Sequence, residues 1–265
     1  MKLIKKGDVE YYVFEKLHRV KHCFSTRKGG VSEGCYSTMN LGWREDKPEN
    51  VIENYRRICN AIDCDYKNTV WTRQIHTDRI LNITEADRGK GLFLERDKDG
   101  YDGIITKCKD IVLTGFSADC VLIFFYDPCK GVIAICHSGW RGTVLSIGAK
   151  TVDKMVSDYG CKRENIICGI SPAIGKCCFQ VDEPVVKAFR EAFEWADNFI
   201  EKDTENKGHY YIDLHGVNEE ILVNAGILRD NIENSRMCTM CHPDMFYSHR
   251  LMGNERGSMA GFISL

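Results

Sequence analysis

The sequence has no long uncharged apolar run and no excess of charge of one sign. No segment approaches the roughly 18 apolar residues of a membrane-spanning helix, and Lys5, Lys6, Asp8 and Glu10 interrupt the region where a signal peptide would lie. The formal net charge of −2 offers no basic field to nucleic acid. We therefore expect a cytoplasmic protein that binds neither membranes nor nucleic acid, and the sequence indicates no protein partner.

Proline is also scarce, with 5 in 265 residues, and the chain has no internal repeat and no low-complexity segment. It also lacks a Pro- or Ser-rich linker, so nothing separates one part of the chain from another. The hydrophobic content of 43% is typical of a globular chain with a sizeable core. We expect a single domain that spans residues 1–265.

Hydrophobic periodicity and capping residues predict the helices. In the segment 47–63 the apolar residues recur every 3.6 positions, and Pro48 suits a first helical turn. Thr143 is an expected N-cap and Gly160 an expected stop for another helix. Asp213 is the expected N-terminal residue of a further one. The predicted helices are 47–63, 143–159, 182–196 and 214–226.

The strands are predicted from short runs of apolar and β-branched residues. The two longest runs, 110–127 and 131–137, are apolar throughout, which is typical of strands buried on both faces. The other predicted strands are 10–17, 21–26, 68–76 and 165–170. Strands and helices are mixed without strict alternation. This order predicts an α+β (mixed α/β) fold, with mixed sheets and helices packed outside.

The two apolar runs flank an Asp-Pro turn and predict a hairpin. If Asp127 to Lys130 form its loop, Cys120 lies directly opposite His137. Opposite residues of an antiparallel pair have Cβ atoms about 4.5–5.5 Å apart. This distance would allow a thiolate and an imidazole to share one metal ion.

His76, at the end of the predicted strand 68–76, is a candidate third ligand. Two His and one Cys with an open fourth position are typical of catalytic Zn²⁺. After His137, the segment "SGWRG" leads towards a helix, so Arg141 and the helix N-terminus could hold an anion beside the metal. Asp119, next to Cys120, is a candidate catalytic acid, or a residue that hydrogen-bonds the backbone where the strand begins.

Fourteen cysteines are many for a chain of this size. In a cytosolic protein most cysteines are small buried hydrophobes, and Cys59 and Cys168 lie in apolar patterns that favour packing. "CTMCH", residues 238–242, has the form of a haem attachment motif, but haem is attached after export and no export signal is apparent. One C-x-x-C does not complete a zinc site, so we expect packing or adventitious oxidation there.

Six stretches together resemble one family. They are "FSTRKGGVSEGCYSTMNLG", "QIH", "ADCVLIFFYDP", "HSGWRGT", "GISPAIGKCCFQV" and "CTMCHPDMFYSHR", in that order. They resemble the bacterial laccase-domain, or polyphenol-oxidase-like, family of purine nucleoside phosphorylases. The resemblance covers about residues 20 to 262, nearly the whole chain. The pairing of "ADC" with "HSGWRG" is its most specific part.

The resemblance implies zinc bound by His76, Cys120 and His137. It implies phosphorolysis of adenosine, inosine and methylthioadenosine, so the expected partners are a purine nucleoside and inorganic phosphate. It also implies adenosine deaminase activity, and Arg27 as a phosphate-site residue. The zinc deaminase signature H-x-E with P-C-x-x-C is absent, so deamination would need another architecture.

Three alternatives remain at the level of the sequence. The first is a copper-dependent polyphenol oxidase, although a multicopper enzyme needs about ten His, and this chain has eight with no His-x-His. The second is a metal-free hydrolase that uses Cys120 and His137. The third is a binding module without catalysis.

Overall fold

The computed structural model of the chain describes residues 1–43, 46–96 and 99–265. Its strands are β1 Lys2–Lys6, β2 Val9–Val13, β3 Lys21–Ser25, β4 Thr69–Val70, β5 Ile80–Asn82, β6 Gly103–Thr106, β7 Val112–Ser117, β8 Val121–Asp127, β9 Val132–Ser138, β10 Ile167–Ile170, β11 Gln180–Asp182, β12 Ile200–Lys202, β13 His209–Ile212, β14 Ile232–Asn234 and β15 Met259–Ser264. The α-helices are α1 Pro48–Ala61, α2 Trp140–Val144, α3 Ile147–Tyr159, α4 Glu183–Ala192, α5 Leu214–Asn224 and α6 His249–Met252. Short 3-10 helices lie at Glu15–Leu17, Gly34–Tyr36, Tyr66–Asn68, Glu85–Asp87, Arg163–Asn165, Ala196–Phe199 and Arg229–Asn231.

Within these residues, two six-stranded sheets pack face to face. The first has the order β1-β2-β3-β15-β7-β4, the second β14-β10-β8-β9-β6-β5, and a small three-stranded sheet has the order β11-β13-β12. Side chains such as Phe24 and Phe124 fill the layer between the two large sheets. Helix α1 covers the outer face of the first sheet, and α3 and α5 cover that of the second. The predicted fold class, mixed sheets with outer helices, is therefore confirmed.

The central strands β8 and β9 show why their sequences are apolar throughout. Ile123 and Phe125 face the helices, whereas Leu122 and Phe124 face the first sheet, and all four are fully buried. The strands are thus buried on both faces, as the sequence predicts. No helix among the described residues is both long and apolar enough to cross a bilayer.

Helices α1 and α5 confirm the predictions made from periodicity and capping. Pro48 is the first residue of α1, and Val51, Tyr55 and Ile58 of this helix are buried. At the start of α5 the Asp213 carboxylate accepts a hydrogen bond from the Gly216 N–H at 2.9 Å. Local sequence was sufficient in both cases because the cap and the buried stripe lie within the helix itself.

The predicted helix 143–159 is wrong at its N-terminus. The segment forms two helices, α2 and α3, which are separated at Ser146, where φ is +58°. Thr143 lies inside α2, and its hydroxyl donates to the carbonyl oxygens of Ser138 and Gly139. The stop at Gly160 is confirmed, with φ of +65°. The predicted helix 182–196 also ends early, at Ala192, because Phe193 is extended.

The predicted strand 68–76 is wrong beyond Val70. Only Thr69–Val70 pair in a sheet, and His76 has a φ of +63°. The backbone N–H groups of Ile75, His76 and Thr77 all donate to the Asp102 carboxylate, at 3.0, 2.9 and 3.0 Å. These N–H groups are therefore satisfied by a side chain, whereas in a strand they would donate to the carbonyl oxygens of a neighbouring strand.

The predicted strand 110–127 is two strands in two different sheets. β7 belongs to the first sheet and β8 to the second, and the chain changes sheets at Ala118, Asp119 and Cys120. Asp119 makes this bend with a φ of +87°, a conformation that Asp tolerates better than most residues. The family motif "ADC" is therefore the crossing point between the two sheets.

The predicted register of the hairpin is also wrong, by two residues. Leu122, rather than Cys120, lies opposite His137, and Asp127 pairs with Val132. The loop starts one residue later than predicted because the Asp127 side chain accepts the backbone N–H groups of Cys129 and Lys130, at 2.7 and 3.1 Å. A shift of two keeps the alternation of faces. Cys120 consequently still approaches His137, from the end of the strand.

Candidate metal centre

His76, Cys120 and His137 meet at one end of the core between the two large sheets. One nitrogen of each His and the Cys120 sulfur all lie within 4.8 Å of one another. The two imidazole rings meet edge to face, with centroids 4.9 Å apart. The structure thus brings together the three residues that the sequence analysis names, and their role as metal ligands stays a prediction. We refer to them as the metal trio.

Asp102 orients the trio, although sequence reasoning missed it. Its carboxylate accepts His137 Nδ1 at 2.8 Å and the three backbone N–H groups around His76. Its carbonyl oxygen accepts the His137 N–H at 2.7 Å. With Nδ1 bound to a carboxylate, Nε2 of His137 is the nitrogen left for the site, as in carboxylate–histidine–zinc arrangements. The run "GYDG" carries no signal that would have identified this role.

The trio is electrostatically coupled. Burial raises the pKa of the Cys120 thiol, but the His137 and His76 imidazoles outweigh burial and lower that pKa below its usual range. Burial lowers the pKa of His137, but Cys120 and Asp102 outweigh it and raise that pKa. The site therefore favours a thiolate at Cys120, which is the form that binds metal.

Gly139 allows the trio to close. A Cβ at this position would lie 3.0 Å from Cys120 Sγ and 3.0 Å from His76 Cδ2. The close approach explains why a glycine follows the strand that ends with His137 and Ser138.

We expect Gly139→Ala to weaken metal binding at the trio by at least tenfold, because the added methyl group pushes the Cys120 and His76 side chains apart. Chelator competition with the purified variant measures this. Ser157→Ala is the control, since Ser157 is an exposed residue of α3. Equal metal affinity in Gly139→Ala and the wild type would contradict the expectation.

Two cavities open on the trio, and His76, Ala118 and Cys120 line both of them. The first, the aromatic cavity, has a volume of about 580 Å³ and includes Trp71 and Phe116. The second, the Arg141 cavity, has a volume of about 600 Å³ and includes Trp140 and Phe179. Both volumes are within the range of small-molecule sites.

Comparison with known proteins identifies the family. The sequence profile of the family described as multi-copper polyphenol oxidoreductase laccase matches residues 21–265. The chain belongs to this family. The matched segment contains the three residues of the trio and all the residues that line the two cavities next to it.

Relatives and a solved structure refine this result. The chain is 34% identical to purine nucleoside phosphorylase YlmD of Bacillus subtilis (strain 168), over 91% of this chain and 87% of the relative. It is 32% identical to adenosine deaminase RL5 of an unknown prokaryotic organism, over 94% and 96%. The crystal structure of Bacillus licheniformis hypothetical protein YfiH superposes with a TM-score of 0.92, at 34% identity and over 99% of this chain and 98% of that chain. Both relatives are named as enzymes, one a purine nucleoside phosphorylase and the other an adenosine deaminase.

Arg141 lies where the sequence predicts, beside the trio. It lines the second cavity, and its guanidinium group is 4.3 Å from the centre of the Trp140 ring. Among the described residues it has no hydrogen bond or ion pair from its side chain. The helix it belongs to, α2, has only five residues. The guanidinium group, rather than a helix terminus, therefore supplies positive charge to this cavity.

Arg27 is not brought to the trio. It lines a separate pocket of about 410 Å³ with Thr38 and Pro243. Its guanidinium group donates to the carbonyl oxygens of Ser37 and Pro243 and stacks 4.7 Å from the centre of the Tyr247 ring. These contacts hold two loops together and do not support the phosphate role that the resemblance implies for Arg27.

Asp119 is buried and fully hydrogen-bonded. Its carboxylate accepts the hydroxyl groups of Thr239 at 2.5 Å and Ser248 at 3.0 Å, and the backbone N–H of Arg250 at 2.7 Å. All three partners are donors, so the carboxylate acts as an acceptor in each contact. This arrangement favours a positioning role for Asp119, which holds the bend at Cys120, over donation of a proton.

The cysteines of "CTMCH" do more than the sequence predicts. Cys238 and Cys241 lie beside Cys177 and Cys178, and the four sulfur atoms are all within 4.8 Å of one another. Sequence reasoning considered one C-x-x-C by itself and missed the vicinal pair in "GKCCFQV". The two segments are more than 55 positions apart, so no local spacing joins them.

Proposed function

We propose that the protein is a zinc-dependent purine nucleoside phosphorylase. In this reaction a phosphate oxygen bonds to C1′ of the nucleoside, the bond between C1′ and the base breaks, and the base leaves with a proton. The products are a free purine and ribose 1-phosphate, or methylthioribose 1-phosphate from methylthioadenosine. The observation that carries the proposal is the position of the metal trio between the aromatic cavity and the Arg141 cavity. Among the described residues, the Arg141 side chain has no hydrogen-bond or ion-pair partner.

The trio fits Zn²⁺ by its chemistry. Two imidazoles and one thiolate are ligands that zinc accepts, and three protein ligands leave a position open. Asp102 supplies the hydrogen bond to the non-ligating nitrogen of His137 that zinc-binding His usually makes. When bound there, the ion would stabilise negative charge as a Lewis acid.

The aromatic cavity supports binding of a purine. Trp71 and Phe116 form an edge-to-face pair with ring centroids 5.2 Å apart, and both line the cavity next to the trio. The exposed Trp43 adds a third ring to the same wall. A purine is flat and aromatic, and such rings bind it by stacking and by burial of its faces.

Arg141 supports binding of phosphate. Within the described ranges, its guanidinium group stacks on Trp140 and has no hydrogen-bond or ion-pair partner. It lines the Arg141 cavity, and Cys120 lines both this cavity and the aromatic cavity. An arginine can bind phosphate through two parallel hydrogen bonds. A nucleoside that occupies the aromatic cavity would therefore have its sugar near the trio and a phosphate on the Arg141 side.

We expect base release from inosine and adenosine to require phosphate and to yield ribose 1-phosphate. Replacing Arg141 by Ala should raise the phosphate KM about tenfold or more, because a charge-assisted contact contributes roughly 1.5–3 kcal/mol. The nucleoside KM should change less. Arg141→Lys should restore only part of the loss, since an ammonium group cannot bind in a bidentate manner. Steady-state kinetics with both substrates varied, and mass analysis of the sugar product, measure this.

Arg27→Ala is the matched control for Arg141→Ala. Its guanidinium group is bound to two carbonyl oxygens away from the trio, so we expect the phosphate KM to stay within about twofold. Equal rates without phosphate, with free ribose as product, would contradict phosphorolysis and favour the hydrolase that uses Cys120 and His137.

A second activity, adenosine deamination, is favoured by the likeness to a protein named adenosine deaminase over nearly the whole chain. The two activities differ in the product that they form from adenosine. Phosphorolysis gives adenine, whereas deamination gives inosine and ammonia. Chromatography of the products from adenosine, with and without phosphate, separates them.

The family description, multi-copper polyphenol oxidoreductase laccase, suggests copper-dependent oxidation of phenols as an alternative activity. Within the described part of the chain, the trio is the one cluster that contains His, and the other cluster holds cysteines alone. A multicopper oxidase needs several His-rich copper sites for electron transfer to dioxygen. Dioxygen consumption on a phenol after copper loading, with no turnover of any purine nucleoside, would favour the oxidase.

A further inference from the structure

Four cysteines form a second cluster, away from the ligands of the trio. Cys177 and Cys178 follow β10, and Cys238 and Cys241 follow β14, which is its parallel neighbour in the second sheet. We call these four residues the four-cysteine cluster. The exits of the two strands are joined by backbone hydrogen bonds from Ala173 N–H to the Met237 carbonyl at 3.1 Å and from the residue 239 N–H to the Ala173 carbonyl at 2.9 Å.

The sulfur separations match ligands around one ion. The Cys241 sulfur lies 3.5 Å from that of Cys177 and 3.5 Å from that of Cys178. Four sulfurs at a zinc–sulfur distance of about 2.3 Å form a tetrahedron with edges of about 3.8 Å. A disulfide would require about 2.05 Å. An iron–sulfur cluster of several irons would place its cysteines further apart, because iron and sulfide ions lie between them.

Gly175 leaves room for the sulfurs of the cluster to meet. A Cβ at Gly175 would lie 2.9 Å from the Cys238 Cβ and 3.3 Å from the Cys177 sulfur. Gly175 therefore lets its backbone approach the sulfurs more closely than any other residue could.

We propose that the four-cysteine cluster is a metal site that holds one Zn²⁺ as a closed tetrathiolate. Four protein ligands leave no open position, which is typical of structural zinc, whereas the trio leaves one open. The chain would thus carry two zinc sites of different kinds. The ion proposed for the four-cysteine cluster does not rest on the proposed function, whereas the total of two zinc per chain does.

Both loops that carry the cysteines of the cluster also contact Asp119. The loop with Cys177 and Cys178 also carries Ile174, whose N–H donates to the Asp119 carbonyl at 2.8 Å. Thr239, between Cys238 and Cys241, donates its hydroxyl group to the Asp119 carboxylate. One ion bound by cysteines of both loops would fix the loops relative to each other, and with them the contacts of Ile174 and Thr239 to Asp119. Asp119 in turn makes the bend that presents Cys120 to the trio.

The same loops form a wall of the Arg141 cavity. The Arg250 side chain donates to the carbonyl oxygens of Cys178 at 3.2 Å and Gln180 at 2.9 Å. Phe179, Gln180 and Arg250 all line that cavity. Loss of the ion should therefore loosen this wall while the chain stays folded around its two sheets.

Metal analysis of protein purified from zinc-supplemented cells under reducing conditions tests the proposal. We expect about two zinc per chain in the wild type and about one in Cys120→Ala, whose four-cysteine cluster is intact. X-ray absorption of the Cys120→Ala protein should show sulfur ligands alone, at about 2.3 Å. Cys241→Ser should also hold about one zinc, at the trio. Cys129→Ser, an exposed cysteine outside both clusters, should keep two.

Several results would overturn the proposal. Folded Cys120→Ala protein without zinc would show that the cluster does not hold the ion, and so would nitrogen ligands around its remaining zinc. Iron in place of zinc would contradict the identity of the metal. Mass analysis that shows a disulfide within the cluster in reduced, zinc-supplied protein would replace the metal site by a redox pair. Because Cys120→Ala leaves all four cysteines in place, a folding defect of a cluster variant cannot obscure the answer.

Discussion

Replacing Cys120 by alanine is expected to abolish metal binding at the trio and to lower kcat/KM for phosphorolysis about a thousandfold or more. The thiolate is the charged ligand of the three, and two imidazoles alone bind a divalent ion weakly. Loss of metal assistance worth several kcal/mol corresponds to about three orders of magnitude in rate. Elemental analysis and steady-state kinetics with inosine and phosphate measure the two effects.

Cys108→Ala is the matched control, because Cys108 is also partly buried and takes no part in either cluster. Its zinc content and activity should equal those of the wild type. If Cys120→Ala kept metal at the trio and cleaved nucleosides at the normal rate, the assignment of Cys120 as a ligand would be wrong.

Asp102→Asn is expected to lower metal affinity and activity about 10–100-fold, the range for loss of a group that orients a ligand. The asparagine amide cannot accept His137 Nδ1–H and all three backbone N–H groups at once, because one of its two polar atoms is itself a donor. Removing one member of this buried pair should also cost about 3 kcal/mol of stability. Chelator competition gives the affinity, and urea unfolding gives the stability.

Asp153→Asn controls for a general effect of losing a carboxylate, since Asp153 is largely exposed and forms a surface ion pair with Arg163. It should change stability by less than about 1 kcal/mol. Unaltered zinc affinity in folded Asp102→Asn protein would mean that His76 and His137 are oriented by the rest of the fold, and that Asp102 is only a structural residue.

The metal trio could be found from the sequence because strong signals surround two of its members. Cys120 lies within the apolar run 110–127 and His137 ends the run 131–137. An Asp-Pro turn joins the two runs, so they are expected to pair as adjacent antiparallel strands that bring the two residues together. The predicted convergence held although the register was off by two residues, since a shift of two preserves the face. His76 had weaker support, because the strand predicted to end there is absent.

Asp102 and the four-cysteine cluster could not be found in the same way. Asp102 contacts His137 from 35 positions away, and Cys177 contacts Cys241 from 64 positions away. Neither contact follows from the periodicity of a helix or strand. Each depends on which strands become neighbours in a sheet, which a single sequence does not specify.

The sequence by itself determined the helices with internal caps and stripes, such as α1 and α5, and the strands that are buried on both faces. Those features depend on residues within a few positions of one another. Only the tertiary structure decided where the chain changes sheets at Asp119, which arginine reaches the trio, and which cysteines meet. These depend on packing between distant segments, where one carboxylate or one turn residue redirects the backbone more strongly than local propensity does.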